Sequence, residues 1–414
     1  MVFGQLLAVA GTLISIRVFT ELLNPYTYGQ LALGLTIATL VSQTVFGPLS
    51  NGATRFYVIA VEQNDVVSFL DVIRRQVFYA SIIVVFVVLI VVTTLIYTVE
   101  LEWVGITISA LLFALVSGYN STLSGVQTAA RQRTIVALHQ GMDAWLRLFV
   151  VFVCISYFGP SSVVAITGYA IAIFLVLVSQ YLFFHKTIIK SVTGQRKENT
   201  WQKQVWLYSW PFAIWGVFYW AQSASDRWAL EMFSSMEDVG LYVVLFQLGY
   251  YPIMLLSNIV SQFLAPIFYQ RAGDASESKR NEVVRRLSLK VTVIILVITG
   301  LGFLITLYVH EMVFNIFTSP GYEVVSHLLP WMVLVSGLFS AGQALSLNLM
   351  SLMKTHLMMK VKIITGSLAV VFNFCGAYWY GNLGVVFAGL LSSALFFLWM
   401  LVLTMKKTNQ LVNN

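Results

Sequence analysis

Residues 82–92 read Ile-Ile-Val-Val-Phe-Val-Val-Leu-Ile-Val-Val, an uninterrupted apolar run inside a longer apolar stretch, residues 76–97. A helix of roughly 20 mostly apolar residues crosses the hydrocarbon core of a bilayer. Every residue of the run is apolar, so the alternation that marks a membrane β-barrel strand is absent. The stretch is therefore predicted to be a transmembrane helix.

Similar runs recur along the chain. Of its 414 residues, 58% are apolar and only 10% are charged, whereas a soluble domain carries about 25% charge. The mean hydropathy is +0.82. We therefore predict an all-α polytopic membrane protein with about twelve transmembrane helices. The predicted spans are 2–20, 30–50, 76–97, 104–127, 134–158, 163–184, 205–227, 239–262, 290–309, 328–349, 360–380 and 383–404.

The cationic residues alternate between successive gaps in this pattern. Of the 24 Lys and Arg residues, all but Arg17, Arg147 and Arg227 lie in every second gap, at 55–75, 131–133, 186–203, 271–290, 354–362 and 406–407. Short basic loops stay on the cytoplasmic side, so both termini are predicted to be cytoplasmic, in a bacterial cytoplasmic (inner) membrane. The net charge of +7 then faces anionic lipid headgroups, and no nucleic-acid partner is expected.

The longest basic stretch without a span, residues 185–204, lies near the middle of the chain. We predict an N-terminal six-helix lobe at 1–184, a cytoplasmic linker at 185–204 and a C-terminal six-helix lobe at 205–414. An even number of spans in each half gives two halves of the same orientation, which is the parallel kind of repeat. Only 16 residues precede Arg17, against 22 before Arg227 in its span, so the first helix is expected to be short at its cytoplasmic end.

Residue patterns support this duplication. Arg17 is followed four residues later by Glu21, and Arg227 is followed in the same way by Glu231. Polar residues also share one face of the fourth and tenth spans. These are Ser117, Asn120, Ser124 and Gln127 in the fourth span, and Ser336, Ser340 and Gln343 in the tenth.

Motifs of known enzymes and metal sites are absent from the sequence. It has no Walker-type glycine loop, no H-E-x-x-H and no cysteine pair at zinc spacing. Cys154 and Cys375 fall inside predicted spans, so no disulfide is expected. We predict a protein that is not an enzyme and that has no catalytic residues, no metal site and no cofactor.

Ionisable residues inside the spans are the candidate functional groups. Placing one at the centre of a spanning helix costs about 2.5–3.5 kcal/mol on insertion scales, so such residues usually face a partner or a cavity. His139, Asp143 and Arg147 follow one another at four-residue spacing on one stripe of the fifth span. The sequence is compatible with a self-neutralised structural ion pair, and also with the wall of a polar cavity.

The remaining candidates lie near the ends of spans. Asp226 and Arg227 are adjacent, so they point in different directions, and Arg227 either reaches the outer headgroups or faces inward. Arg17 has the same alternatives, and its counterpart at Arg227 favours a shared inward role. Arg55 follows the second span, where anchoring of the loop and capture of a substrate are both compatible with its position.

Aromatic residues recur along the seventh span. We expect most of them to pack or to lie at the membrane interface, with stacking on sugar rings as the alternative for some. They are Trp206, Trp210, Trp215, Tyr219 and Trp220.

Several short motifs together resemble Wzx-type polysaccharide flippases, within the wider MATE-like MOP superfamily. In the second half they are Ser209-Trp210-Pro211, Ser225-Asp226-Arg227 and Val239-Gly240-Leu241-Tyr242. In the first half they are Leu23-Asn24-Pro25, Tyr28-Gly29 and Gly52-Ala53-Thr54-Arg55. The resemblance extends over the whole chain in span number and loop lengths.

The resemblance implies two six-helix lobes around a central cavity that opens to each side in turn. It implies that the cargo is an undecaprenyl-pyrophosphate-linked oligosaccharide, moved from the cytoplasmic to the outer leaflet for surface polysaccharide biosynthesis. The expected pyrophosphate or cavity residues are Arg17, Arg55, Arg147 and Arg227. His139, Asp143 and Asp226 are expected to form a coupling or cavity ion pair, and Asn120, Ser124, Gln127, Ser340 and Gln343 to line the cavity.

Two other classes of membrane protein remain open. One is a multidrug or cation antiporter of the same fold, whose cavity should be acidic and apolar. The other is a membrane polymerase or ligase of polysaccharide assembly, which generally needs a larger outer loop than any found here. For the flippase, the expected partners are the lipid-linked oligosaccharide, membrane lipids and glycan polymerase or assembly proteins.

Overall fold

The computed structural model describes residues 2–98, 100–187, 201–273 and 275–406. All regular secondary structure in these ranges is helical, which confirms the predicted all-α class. The α-helices are α1 (Val2–Leu22), α2 (Pro25–Val41), α3 (Gly47–Glu62), α4 (Val66–Tyr97), α5 (Leu101–Ala129), α6 (Arg133–Phe158), α7 (Ser162–Thr187), α8 (Trp201–Phe233), α9 (Met236–Gly249), α10 (Tyr251–Ala272), α11 (Ser278–Phe317), α12 (Leu329–Ser351) and α13 (Thr355–Met405).

Within the described residues, nine helical segments are long and apolar enough to cross a membrane. The protein is therefore a multi-pass membrane protein. The predicted spans at 360–380 and 383–404 both fall in α13, and α1 and α8 lie outside the nine segments although they cover the first and seventh predicted spans. The count of twelve and the side on which each terminus lies stay predictions.

Helix α13 is interrupted at Gly381, between the two spans predicted there. Its backbone has φ 53° and ψ −132°, a conformation that a residue with a Cβ rarely adopts. Gly376 and Gly384, on either side of the break, lie backbone to backbone, and a Cβ on either one would overlap the other's carbonyl group. Glycine thus allows the chain to reverse and the two arms of α13 to pack closely.

A π-helical turn at Ser42–Phe46 joins α2 to α3 in one continuous helical segment. The wider hydrogen-bond spacing of this turn is seen at Gly47, whose N–H donates to the Ser42 carbonyl, five residues back. Pro48, directly after Gly47, cannot donate a backbone hydrogen bond. The wide turn and the proline thus interrupt the regular hydrogen-bond pattern of the helix at the same place.

The chain packs as two compact units, Met1–Ala224 and Ser225–Asn414. In the N-terminal unit, α5 packs against α2, α3 and α7, and α6 packs against α1 and α7. In the C-terminal unit, α12 packs against α10, α11 and α13. The division falls inside α8, and the predicted linker lies mostly outside the described residues, so the lobe boundaries stay predictions.

The first part of α8 is held in the N-terminal unit by two tryptophans. The Trp201 indole N–H donates to the Asp65 carboxylate at 2.7 Å, and the Trp220 indole N–H donates to the Thr36 carbonyl at 2.7 Å. The two tryptophans lie far apart on α8, so they fix this helix both at Thr36 of α2 and at Asp65, the N-cap residue of α4. The sequence alone did not predict this packing.

The predicted topology can be tested by thiol labelling. In a variant lacking Cys154 and Cys375, single cysteines at Glu100, Ser161 and Gly321 should react with a membrane-impermeant maleimide applied to intact cells. Cysteines at Lys186 and Ser276 should react only after the membrane is opened, because basic loops stay inside. Labelling in the reverse pattern would contradict the assigned orientation.

Candidate substrate-binding site

Of the two arrangements compatible with the sequence of α6, the structure contains the ion pair between Asp143 and Arg147. Arg147 contacts Asp143 through two bonds, from Nε to Oδ1 at 2.9 Å and from Nη2 to Oδ2 at 2.5 Å. This two-pronged geometry is the strongest form of a charge-assisted hydrogen bond. The guanidinium also lies 5.2 Å from the Phe113 ring centre and 5.6 Å from that of Tyr169. The Arg147 charge is thus neutralised and enclosed by rings inside the N-terminal unit.

His139 lies on the same stripe but has other partners. Its Nδ1 is 2.8 Å from the Ile135 carbonyl and its Nε2 is 3.2 Å from the Ser179 hydroxyl. A carbonyl only accepts, so Nδ1 carries a proton and Nε2 accepts from Ser179 when the ring is neutral. The ring is buried and contacts Phe183 edge-on. Its predicted coupling role stays a prediction.

The polar face of α5 is joined to a residue that the sequence reasoning missed, Gln180 on α7. Its amide accepts from Asn120 at 2.8 Å and donates to Ser124 at 2.9 Å and to Gln127 at 2.6 Å. The predicted polar residues therefore hold α5 to α7. A single amide in an otherwise apolar span is itself a signal of a helix–helix contact, and Gln180 could have been found on that ground.

Arg17 on α1 is paired with Glu21 at 2.6 Å. The two side chains are 37% and 54% exposed, so this ion pair is much more open than the one on α6. An exposed pair of this kind contributes about 0–1 kcal/mol. If another anion replaced Glu21 as the partner of Arg17, the loss of this pair would therefore cost little free energy.

Arg55 on α3 has a different environment from the other arginines. Its side chain is exposed, and within the described part of the chain it has neither an ion pair nor a hydrogen bond. One turn earlier on α3, Gly52 packs against Ser209 and Val205 of α8. The close contact at Gly52 therefore fixes the segment that carries an available guanidinium.

In the C-terminal unit, the predicted residues Asp226 and Arg227 form a compact group. Asp226 is buried; it accepts the backbone N–H of Arg227 at 2.8 Å and a hydrogen bond from the Tyr242 hydroxyl. The Arg227 guanidinium lies 5.3 Å from the Phe246 ring centre. The Asp226 carboxylate and the Arg227 guanidinium thus contact different neighbours, because adjacent residues of a helix point in different directions.

The remaining predicted cavity residues are on α12. Ser340 is buried and Gln343 is half-buried, and Ser336, on the same face, donates to the Tyr250 carbonyl at 2.8 Å. Their role as cavity residues stays a prediction.

Two buried asparagines of α13 were missed by the sequence reasoning. Asn373 donates to the Ser225 hydroxyl at 2.9 Å, and Asn382 donates to the Asp238 carboxylate at 2.7 Å. They join α13 to α8 and α9. Asn373, an isolated amide in the predicted span 360–380, carries the same signal as Gln180, whereas Asn382 lies between two predicted spans.

Comparison with known proteins identifies the fold. No protein-family model matches the chain, and no curated protein sequence matches it. A multidrug resistance MATE family transporter of the MOP superfamily in an inward-facing conformation superposes with a TM-score of 0.65 at 12% identity, over 97% of this chain and 96% of that one. The lipid II flippase MurJ, in an inward closed conformation, gives 0.66 at 14% identity, over 97% and 85%.

A third solved structure, a mutant form of the Vibrio cholerae MATE transporter VcmN, gives a TM-score of 0.59 at 15% identity, over 99% of this chain and 94% of that one. At these identities the likeness is one of fold. The chain therefore has the MATE-like fold found in transporters of the MOP superfamily, which confirms the predicted fold at that level.

The Asp143–Arg147 pair can be separated from a substrate site by a double-mutant cycle. Asp143→Asn or Arg147→Gln alone leaves one half-buried charge without its partner, which costs on the order of 1–3 kcal/mol. Each single variant should therefore lower the melting temperature of the purified protein. The double variant should recover most of that loss and much of the transport activity, because both charges are gone.

A double variant that regains stability but stays inactive would show that the pair acts in transport beyond its structural role.

Proposed function

We propose that the protein is a flippase that moves undecaprenyl-pyrophosphate-linked oligosaccharides from the cytoplasmic to the outer leaflet by alternating access. It would serve surface polysaccharide biosynthesis in a bacterial cytoplasmic membrane, beside a glycan polymerase or other assembly proteins. Support comes from the MATE-like fold, the motifs shared with Wzx-type flippases and the state of the membrane charges.

The observation that carries the proposal is that the predicted site acids and the predicted site arginines differ in pairing and exposure. Asp143 is neutralised by Arg147, and Asp226 is buried and hydrogen-bonded. Arg55 by contrast is exposed, and the ion pair of Arg17 with Glu21 is open to solvent. Among the predicted site residues, Arg55 is therefore the exposed charge that has no ion-pair partner in the described ranges, and this favours an anionic substrate.

A pyrophosphate is the anion that suits arginine best. The planar guanidinium donates two parallel hydrogen bonds to phosphate oxygens, which a lysine ammonium cannot do. Such charge-assisted bonds are roughly twice as strong as neutral ones. An arginine at the mouth of a membrane cavity therefore compensates part of the cost of taking a phosphate headgroup out of water.

A MATE-type multidrug or cation antiporter is the second candidate function. It is favoured by the near-complete coverage of the MATE transporter chain, 96%, against 85% for the lipid II flippase. A carboxylate is the natural partner of a cationic drug, so this alternative requires Asp143, Asp226 or Glu21 to exchange its present partner.

Deletion of the gene tests the proposed function directly. Surface polysaccharide should be lost, and the lipid-linked repeat unit should accumulate on the cytoplasmic leaflet, measured by protection from an impermeant glycosidase in intact spheroplasts. A plasmid copy should restore export. Normal surface glycan in the deletion strain, with no second flippase gene present, would contradict the proposal.

The arginines provide a second test in proteoliposomes that contain the purified chain and a labelled lipid-linked oligosaccharide. Arg55→Ala, Arg17→Ala and Arg227→Ala should each slow flipping at least about tenfold, since a lost charge-assisted contact is worth roughly 1.5–3 kcal/mol. The Lys variants should keep part of the rate, because charge remains without the planar fork.

Arg133→Ala, at an exposed arginine outside the predicted site, is the matched control and should leave the rate unchanged. Wild-type flipping in all three alanine variants would exclude a cationic site. Efflux of a cationic dye with no lipid flipping would favour the antiporter.

A further inference from the structure

The N-terminal unit contains a cavity of about 230 Å³ that is separate from the Asp143–Arg147 pair. It lies among the π turn, α3, α5 and α8. The side chains that line it are Gln43, Ser50, Asn51, Ser121, Phe212 and Trp215. None of its lining residues, all within the described ranges, is charged. The cavity therefore suits a neutral polar ligand that also has apolar surface.

The amides in this cavity are available for a ligand. In the described part of the chain, neither the Gln43 nor the Asn51 side chain makes a hydrogen bond to the protein, whereas Ser50 already donates to the Ser121 carbonyl at 3.0 Å. Each amide offers both donors and an acceptor. Neighbouring hydroxyls of a sugar ring have the same mixed character and can pair with such a group at two points.

The opposite wall of the cavity is aromatic. Trp215 and Phe212 lie on α8, and Trp215 packs beside Phe218 with ring centres 5.5 Å apart. An aromatic ring has a negative face, which attracts the C–H groups on the apolar side of a pyranose. Amides on one wall and a tryptophan on the other form the usual combination for holding a sugar ring.

Close backbone packing builds the cavity. Gly216 lies so near the Gln43 carbonyl that any Cβ there would overlap it, and Gly52 lies against Ser209 and Val205. Phe212 and Trp215 lie between these two contact points on α8. The cavity walls are thus fixed from both sides, at the place where the π turn widens the facing helix.

We propose that this cavity binds the sugar that is bonded directly to the pyrophosphate of the transported lipid. The assignment rests on the flippase function and adds a site for its glycan. Asn51 and Arg55 lie four residues apart on one face of α3, a rise of about 6 Å. A phosphate held at Arg55 therefore leaves its attached sugar within reach of Asn51. The cavity volume matches one sugar unit, since ligand pockets for larger molecules span about 300–1,000 Å³.

Lipid binding to the purified full chain in nanodiscs tests this assignment. The probes are bare undecaprenyl pyrophosphate and the lipid-linked repeat unit extracted from the host membranes. Asn51→Ala and Trp215→Leu should each weaken binding of the glycosylated lipid about tenfold, equivalent to about 1.4 kcal/mol, and should leave binding of the bare lipid unchanged. Arg55→Ala should weaken both.

Two variants control for folding and for general loss of aromatic surface. Trp215→Phe keeps a ring and should retain most of the affinity. Trp210→Leu removes an exposed tryptophan of the same helix outside the cavity and should have no effect.

Equal affinity of Asn51→Ala, Trp215→Leu and the unaltered chain for the glycosylated lipid would overturn the sugar site and leave the flippase function standing. Failure of the unaltered chain to bind either lipid would overturn the flippase function, and the sugar site with it. Trp215→Leu weakening binding of tetraphenylphosphonium but of neither lipid would assign the cavity to lipophilic cations instead.

Discussion

Hydrocarbon offers no hydrogen-bond partner, and this constraint shapes every polar group described above. Each backbone N–H and C=O inside the membrane must be satisfied within the protein, which leaves helices as the structure of the spans. The same constraint explains why Gln180 gathers three polar side chains of α5 around one amide.

Helix α8 packs against its neighbours through small residues. Dispersion attraction falls steeply with distance, so it is strongest where small residues let two backbones come close. Hydrophobic attraction between helices is weak in lipid, so close backbone approach has to supply the contact energy. Gly216 and Gly52 provide it on the two sides of the cavity, and the indole N–H groups of Trp201 and Trp220 hold α8 on either side of these contacts. A helix fixed at several points along its length can present Trp215 in one defined orientation.

The sequence was sufficient to predict features that depend on one segment at a time. Continuous apolar runs predicted the helices, and the four-residue spacing of Asp143 and Arg147 allowed either a cavity wall or the ion pair that the structure contains. Features that depend on two segments were missed: the Gln180 network needs the α5–α7 pairing, and the cavity needs the contact of Gly216 with Gln43. A hydropathy pattern contains no information about which helices meet.

The arginines also differ in how readily they can exchange a partner. Arg147 has two short bonds to Asp143 and two rings around it, so a phosphate would have to replace a bidentate contact and leave Asp143 unpaired. Arg17 has an exposed carboxylate partner in Glu21, and exposed pairs are worth about 0–1 kcal/mol. Arg55 has no ion-pair partner to give up within the described ranges. Exchange is therefore easiest at Arg55, then at Arg17, and hardest at Arg147.

This order bears on how a charged headgroup could pass through the protein. A site that binds phosphate tightly in every state would trap it. A ligand that binds two conformations equally well also does not shift the equilibrium between them. Arg55 offers a first contact without the loss of an existing ion pair, and the Arg17–Glu21 pair offers a second that Glu21 can reclaim. In the proposed flippase, reversible competition of this kind would hold the pyrophosphate long enough to enter the membrane and would still let it leave.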